Sequence, residues 1–364
     1  MSVPFTVKIT KVPSRWRPSL QTLRIPAHTR NYAVQAPGRP TLEVFNRAVK
    51  HMQKDRAARN VEQSRQVDYI KDEVAKRLCE RLLDIKRSFP NALDLGANSC
   101  NIARALTAPN PDPAVETSPP LSNRIGSLTC IETSHALLHR DADLGFNDQM
   151  SIQRDVIPDL ESLPYQPNTF DAVLSSLSIH WVNDLPSLLA QINGILKPDC
   201  PFIAAMFGGD TLFELRSSLQ LANMERRGGV IPHISPLADV KDVGGLLTKA
   251  GFKMLTVDVE DIVVDYPDTF ALMEDLQAMG ESNATVQRGP LSKDVLLANE
   301  AIYRELHNEE HGEPEHGHGG IPATFRIIFM IGWKEGAGQR QPLQRGSGEV
   351  NLTDILGGGD FEQK

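Results

Sequence analysis

The stretch NALDLGANSCNIARAL, residues 91–106, carries the first residues with chemical use. An apolar run rises to Asp94, Leu95 and Gly96, then breaks into Ala97, Asn98, Ser99, Cys100 and Asn101, the profile of a strand feeding a loop and a helix. A strand that ends in glycine and hands the chain to a helix N-terminus collects free backbone N–H groups and the positive end of the helix dipole at one place. Such a place suits a polar cofactor, so Asp94, Gly96 and Ala97 are candidate binding residues. Only Gly96 remains of the two or three glycines such loops carry, and Asn98 tolerates the left-handed backbone better than Cys100 does. A plain strand-to-helix turn explains the loop equally well.

Two further acids fall at strand ends. Glu132 follows the apolar run Leu128–Ile131, and Asp155 follows Ser151–Arg154. In dinucleotide and S-adenosylmethionine folds, a carboxylate at the end of the second strand accepts hydrogen bonds from ribose hydroxyls, and the next acid faces the adenine. Glu132 has an equal alternative as a helix cap. The segment FDAVLSSLSIHWVND ends a buried strand in Ser175, Ser176 and Ser178, then His180, Trp181, Asn183 and Asp184. Polar and aromatic groups crowded at the carboxyl edge of a central parallel strand mark where open α/β sheets place chemistry. His180, Trp181 and, beyond the next strand, Asp210 are the candidate catalytic residues. His180 beside a Trp also reads as a packed, hydrogen-bonded core histidine. The tract HNEEHGEPEHGHGG holds His307, His311, His316 and His318, but no spacing there fixes a coordination geometry, and no metal site is assigned.

These residues require elements to hold them. Ile70, Val74, Leu78, Leu82 and Ile85 recur at helical spacing and predict a helix before the first strand. Strands are predicted at 92–96, 128–131, 151–154, 170–174, 202–207, 252–266 (one strand, or a strand with a bend) and 325–333. Helices fall at 98–106, 185–196, 236–250, 269–279 and 291–306. Residues 42–60, rich in Arg, Lys and Gln with little apolar stripe, read as an irregular or short helical lead-in. The pattern gives an α/β fold: a seven-stranded doubly wound sheet of the class I S-adenosylmethionine-dependent methyltransferase type, with a helical insertion after strand five. That insertion, about 208–236, reads as a lid over the cofactor edge, hinged by its glycine pairs. The absence of G-x-G-x-x-G speaks against a Rossmann dehydrogenase.

At 364 residues and 40% hydrophobic content the chain can bury a large core, and its formal net charge of -8 argues against general nucleic-acid binding. No apolar run is long enough to span a bilayer. Cys79, Cys100, Cys130 and Cys200 lack CxxC spacing, which fits a reducing compartment. Residues 1–41 hold Lys8, Lys11, Arg15, Arg17, Arg24, Arg30 and Arg39 with no acid, the composition of a mitochondrial targeting presequence. The catalytic domain is expected over 42–334, with a His-rich loop at about 307–320 and a disordered tail at 335–364.

Read together, LDLG, FDAVLSSLSIHWVNDLP, ILKPD, AMFGGDTLFELRSSLQLA, PHISP, LMEDLQAMGESNA and IGWK resemble the mitochondrial complex I assembly factors with a methyltransferase-type fold, the arginine-hydroxylase assembly factors. The resemblance runs from about Leu42 to Lys334. It implies work in the mitochondrial matrix, peripheral to the inner membrane and alongside other early complex I assembly factors. It also implies hydroxylation of an arginine on the complex I subunit that carries cluster N2, and an S-adenosylmethionine site at Asp94, Gly96, Ala97, Glu132 and Asp155. Animal members keep a Gly-rich loop where this chain has Ala97, Asn98 and Cys100, so weak cofactor binding is expected. Hydroxylating an unactivated C–H bond needs a group that handles oxygen. The His-x-carboxylate spacing at His311-Gly312-Glu313, one element of a facial triad, lies inside the His-rich tract. The alternatives are a methyltransferase acting on a protein or a small quinone-like substrate, and a non-catalytic chaperone whose acidic surface holds a basic client.

Overall fold

The runs Ala172–Ser176 and Pro201–Phe207 are buried along their whole length, as interior strands covered on both faces must be. They lie at the centre of a seven-stranded sheet in the computed structural model, which describes residues 43–109, 120–307 and 320–339. The presequence at 1–41, the Pro-rich loop near Pro119, His311, His316 and His318, and the tail from 340 lie outside the described residues.

The strands are β1 (Phe89–Leu95), β2 (Ile125–Glu132), β3 (Ile152–Val156), β4 (Ala172–Ser176), β5 (Pro201–Phe207), β6 (Phe252–Tyr266) and β7 (Ile321–Lys334). Their order is β3-β2-β1-β4-β5-β7-β6, with β1 to β5 parallel and β7 antiparallel to both its neighbours. This is the class I methyltransferase-type sheet expected from the sequence. β6 is a single strand with one irregularity between Lys253 and Thr256, where Met254 has φ +48°.

The helices are α1 (Arg47–Arg59), α2 (Val61–Gln66), α3 (Tyr69–Leu83), α4 (Asn101–Thr107), α5 (His135–Leu138), α6 (Leu185–Ile195), α7 (Phe213–Arg227), α8 (Val240–Lys249), α9 (Thr269–Ala278) and α10 (Lys293–His307). Strand alternation splits the apolar side chains into two layers. Ala92, Leu128 and Cys130 pack under α3, α4, α7 and α10, while Leu93, Leu95 and Ile131 pack under α6 and α8. The order reverses between β1 and β4, so a crevice opens at their carboxyl ends.

α1 corrects the irregular lead-in read at 42–60. It is a 13-residue helix capped by Asn46, whose side chain accepts from Val49 N at 3.0 Å. Its buried face is Lys50, Lys54, Ala57 and Ala58 rather than an apolar stripe. Two of those lysines enter the crevice.

Candidate active site

The turn after β1 is made by three left-handed residues, Gly96 (φ +69°), Asn98 (φ +51°) and Cys100 (φ +62°). Gly96 is required sterically as well as conformationally, because a Cβ there would overlap the Cβ and Oγ of Ser178. Ser178 Oγ donates to the Gly96 carbonyl at 2.6 Å, and the Asn98 side-chain amide donates to Ser176 O at 3.1 Å. The turn is thereby fastened to the end of β4 by side chains. Asp94 is fully buried below it, with Oδ1 lacking a hydrogen-bond partner and Oδ2 3.9 Å from Cys130 Sγ. Burial pushes its carboxyl well above the ordinary range. Neither Asp94 nor Ala97 lines a cavity described below.

A cavity of about 720 Å³ lies over the carboxyl ends of β2, β3 and β4, roofed by α1. Its walls include Thr133, Val156, Ile157, Leu160, Ser178 and Trp181 below, and Phe45, Lys50 and Lys54 above. Glu132, fully buried, lies behind this wall, bonded to the lining residues Lys54 and Thr133. Its two oxygens lie 2.9 and 2.8 Å from Lys54 Nζ, and they also accept from Thr133 N (2.7 Å), Thr133 Oγ1 (3.0 Å) and Asn98 N (3.2 Å). Burial works against the Glu132 charge, but Lys54 and Thr133 outweigh it and hold the carboxyl below its ordinary value.

Asp155 does not join this group. In the β2–β3 register it pairs with Ile131, whereas Glu132 pairs with Val156, so parity turns its side chain to the opposite face of the sheet. There Gln153 Nε2 donates to it at 3.1 and 3.2 Å. The sequence places the acid at the right strand end but one residue out of phase with the cavity.

The cavity sits where this fold holds S-adenosylmethionine, and the residues test that cofactor directly. A ribose diol needs free acceptors on Glu132. A carboxylate offers about four lone-pair sites, and five donor contacts already fall on this one. With Lys54 in place the ribose has no seat.

A second cavity, about 260 Å³, is bounded by the lid and shares Trp181 with the first. Phe207, Leu215, Leu219, Met273, Leu276 and Phe325 make it apolar, and Glu281 is the carboxylate among its lining residues. Glu281 follows the left-handed Gly280 (φ +76°), and its side chain is 4% exposed. Trp181 Nε1 donates to Glu281 Oε2 at 2.8 Å, and Lys71 Nζ stands 3.6 Å from Oε1. Lys50 Nζ donates to Gly280 O at 2.9 Å and sits 3.2 Å from the Trp181 ring centre. Burial opposes the Glu281 charge, yet Lys50 and Lys71 keep the carboxyl far below its ordinary value. Burial brings the Lys50 pKa down to about 7 despite Glu281.

His180 lies in the same wall, buried against Phe207 and Trp181. Neither ring nitrogen has a hydrogen-bond partner, and Nε2 is 3.5 Å from Glu281 Oε2, too poorly placed to bond. Burial lowers its pKa, so the ring is neutral at pH 7. Asp210 is elsewhere: it is largely exposed and ion-paired with Arg326, which Asp261 also holds at 2.8 Å. The structure therefore brings His180 and Trp181 together and leaves Asp210 out.

Among the described residues, no group of three or more His, Cys, Asp or Glu side chains is arranged to hold a metal ion. The spacing of His311-Gly312-Glu313 recurs at His139-Arg140-Asp141, where Asp141 is taken by Arg65 (2.7 Å), Arg104 (3.1 Å) and Arg140 (2.6 Å). Sequence reasoning missed Lys50, Lys54, Lys71 and Glu281. The i, i+4 pair Lys50 and Lys54 followed by Ala57 and Ala58 was the available signal.

A methyltransferase-domain family model matches residues 114–204. The chain is 46% identical over 316 residues to the mitochondrial arginine-hydroxylase NDUFAF5 of Homo sapiens, covering 86% of this chain and 84% of that protein. It is 44% identical over 318 residues to the protein of that name from Danio rerio, covering 87% and 91%. Malonyl-[acyl-carrier protein] O-methyltransferase of Halorhodospira halophila is 30% identical over 294 residues, covering 80% and 89%. With relatives of that identity matched over 84% and 91% of their own length, this chain belongs to the family of the mitochondrial arginine-hydroxylases NDUFAF5.

Proposed function

We propose that the protein is a mitochondrial arginine hydroxylase serving complex I assembly, and that the lid cavity takes the side chain of an arginine presented by a client protein. The observation that carries this reading is Glu281, an ionised carboxylate and, among the described residues, the one acid lining a largely apolar cavity of about 260 Å³ that Arg288, His180 and His233 also border. An arginine stem needs apolar walls, which Leu215, Leu219, Met273 and Leu276 supply. Its guanidinium needs a fixed anion and hydrogen-bond acceptors, and Glu281, Gln277 and Asn283 border the same space.

Charge balance supports the fit. Lys50, with a pKa of about 7, can lose its proton near Glu281 when a guanidinium arrives, which removes one of the cations already beside that carboxylate. Neutral His180 faces the bound side chain, and its one unprotonated ring nitrogen can accept a proton. Trp181, shared by both cavities, separates the arginine from the space under α1. The oxygen-handling group that C–H hydroxylation requires would supply the oxidising chemistry, and these residues bind and orient the arginine.

The client we propose is an arginine of the complex I subunit that bears cluster N2, met in the matrix beside the inner membrane together with other early assembly factors. A test is co-production of this chain with that subunit, followed by mass spectrometry of its arginine peptides. Gain of one oxygen on an arginine supports the reading; an unmodified arginine opposes it.

A further inference from the structure

Lys54 closes the ribose seat by construction, not by a loose side chain lying across it. Lys54 and Glu132 have side chains 4% and 0% exposed, so the two charges meet out of reach of bulk water. α1, which carries Lys54, is fixed on three sides: Lys50 Nζ donates to Gly280 O (2.9 Å), Gln53 Nε2 to Asn283 O (3.1 Å), and Asp55 Oδ1 accepts from Ser134 Oγ (2.5 Å). Opening Glu132 to a ligand therefore means breaking that pair, whether by turning the lysine out into the cavity or by shifting the helix. Both are costly for a buried ion pair.

We propose that Lys54 is a specificity-determining residue that excludes adenosyl-type cofactors, S-adenosylmethionine among them, from the cavity under α1 by occupying the carboxylate their ribose must bind. The cavity itself is large enough, at about 720 Å³, and its Val156, Ile157 and Leu160 wall is apolar as an adenine requires. The exclusion is thus local to one ion pair. Removing the lysine leaves Glu132 with three donor contacts, from Thr133 and Asn98, and returns about one of its four lone-pair sites to the ribose hydroxyls. This inference is independent of the arginine reading, because it concerns the other cavity and a different ligand.

The experiment is calorimetric titration of the full chain with S-adenosylmethionine, and with adenosine against 2′,3′-dideoxyadenosine, for the wild type and Lys54→Met. The wild type is expected to bind S-adenosylmethionine weakly or not at all and to show no preference for the ribose hydroxyls. Lys54→Met is expected to bind S-adenosylmethionine at least tenfold more tightly and to favour adenosine over the dideoxy compound at least tenfold. The double variant Lys54→Met with Glu132→Gln should lose that preference. A wild type that already favours adenosine tenfold, or a folded Lys54→Met that gains nothing, overturns the proposal. Should Lys54→Met fail to fold, the wild-type comparison decides alone: hydroxyl preference refutes the exclusion, and its absence supports it.

Discussion

Trp181 Nε1 donates to Glu281 Oε2 at 2.8 Å while the Lys50 ammonium lies 3.2 Å from the centre of the same indole ring. One side chain thus joins the wall of the lid cavity to the roof of the cavity under α1. Glu281 is held ionised in a buried position by partners from α1, α3 and the segment after β4. A carboxylate kept charged in apolar surroundings is prepared for a cation.

Glu281→Gln keeps the shape and removes the charge. Lys50 and Lys71 would then lose their buried counter-ion, so the variant is expected to be less stable by about 3–5 kcal/mol, the usual cost of breaking a buried pair. Urea denaturation measures that loss. Where the variant remains folded, arginine hydroxylation is expected to fall about 100-fold, as loss of a buried, hydrogen-bonded charge partner commonly costs at least ~2–3 kcal/mol.

Lys50 sets a pH dependence with a definite sign. Its folded pKa of about 7 lies below the ordinary 10.5, so between those values the unfolded chain binds the additional proton and stability rises with pH. The contribution is at most about 1.4 kcal/mol per pH unit. Comparing Lys50→Met with wild type from pH 7 to 10 isolates it, and the gap between their melting free energies should change across that window. Glu281 and Glu132, held below the ordinary 4.5, act at the other end: their stabilisation is present above that value and is lost as pH falls below it. In the same variant pair, affinity for an arginine peptide should rise between pH 6 and 8 in the wild type only.

Gly96→Ala tests the turn. Overpacking costs ~1–3 kcal/mol and the left-handed backbone ~1–2 kcal/mol for a residue with a Cβ. The variant should therefore be destabilised by about 3 kcal/mol. Ser178→Gly removes the atoms that clash, and in the double variant it should recover the steric share while leaving the backbone share. Equal destabilisation of the single and double variants would contradict the contact.

Arg140 anchors the turn from behind. Its side chain is fully buried; it donates to Asp68, to Asp141 Oδ2 at 2.6 Å and to Ser64 Oγ at 2.7 Å, and Asp68 also accepts from Ser99 Oγ at 3.2 Å. Arg140→Met should cost about 3–5 kcal/mol by leaving buried carboxylates short of a partner. Hydrogen exchange at Ser99–Asn101 should quicken in the same variant. An unchanged denaturation midpoint would show that Arg65 and Arg104 suffice.

The sheet was legible because interior parallel strands are continuous apolar runs and β6, an edge strand, alternates between half-buried and exposed residues from Glu260 to Asp265. The bounds of β6 emerged as read, Phe252 to Tyr266. α1 was not legible, since hydrophobic periodicity is blind to a helix whose inner face is lysine bound to buried acceptors. Asp155 and Asp210 were chosen by position along the chain, but a strand end fixes where a residue lies and only register parity fixes which way it points. The scarcity of glycines after Gly96 suggested an eroded loop. Instead Asn98 and Cys100 adopt the left-handed turns themselves, with the Asn98 amide bonded into the end of β4.

In the proposed reading, Glu281 receives a client arginine for hydroxylation. The most direct measurement is mass spectrometry of the N2-bearing complex I subunit produced with the wild-type chain and with Glu281→Gln. The account expects one added oxygen on a single arginine with the wild type and a strong loss of it with the variant. An unmodified arginine in both, or a methyl group in place of the oxygen, would contradict it.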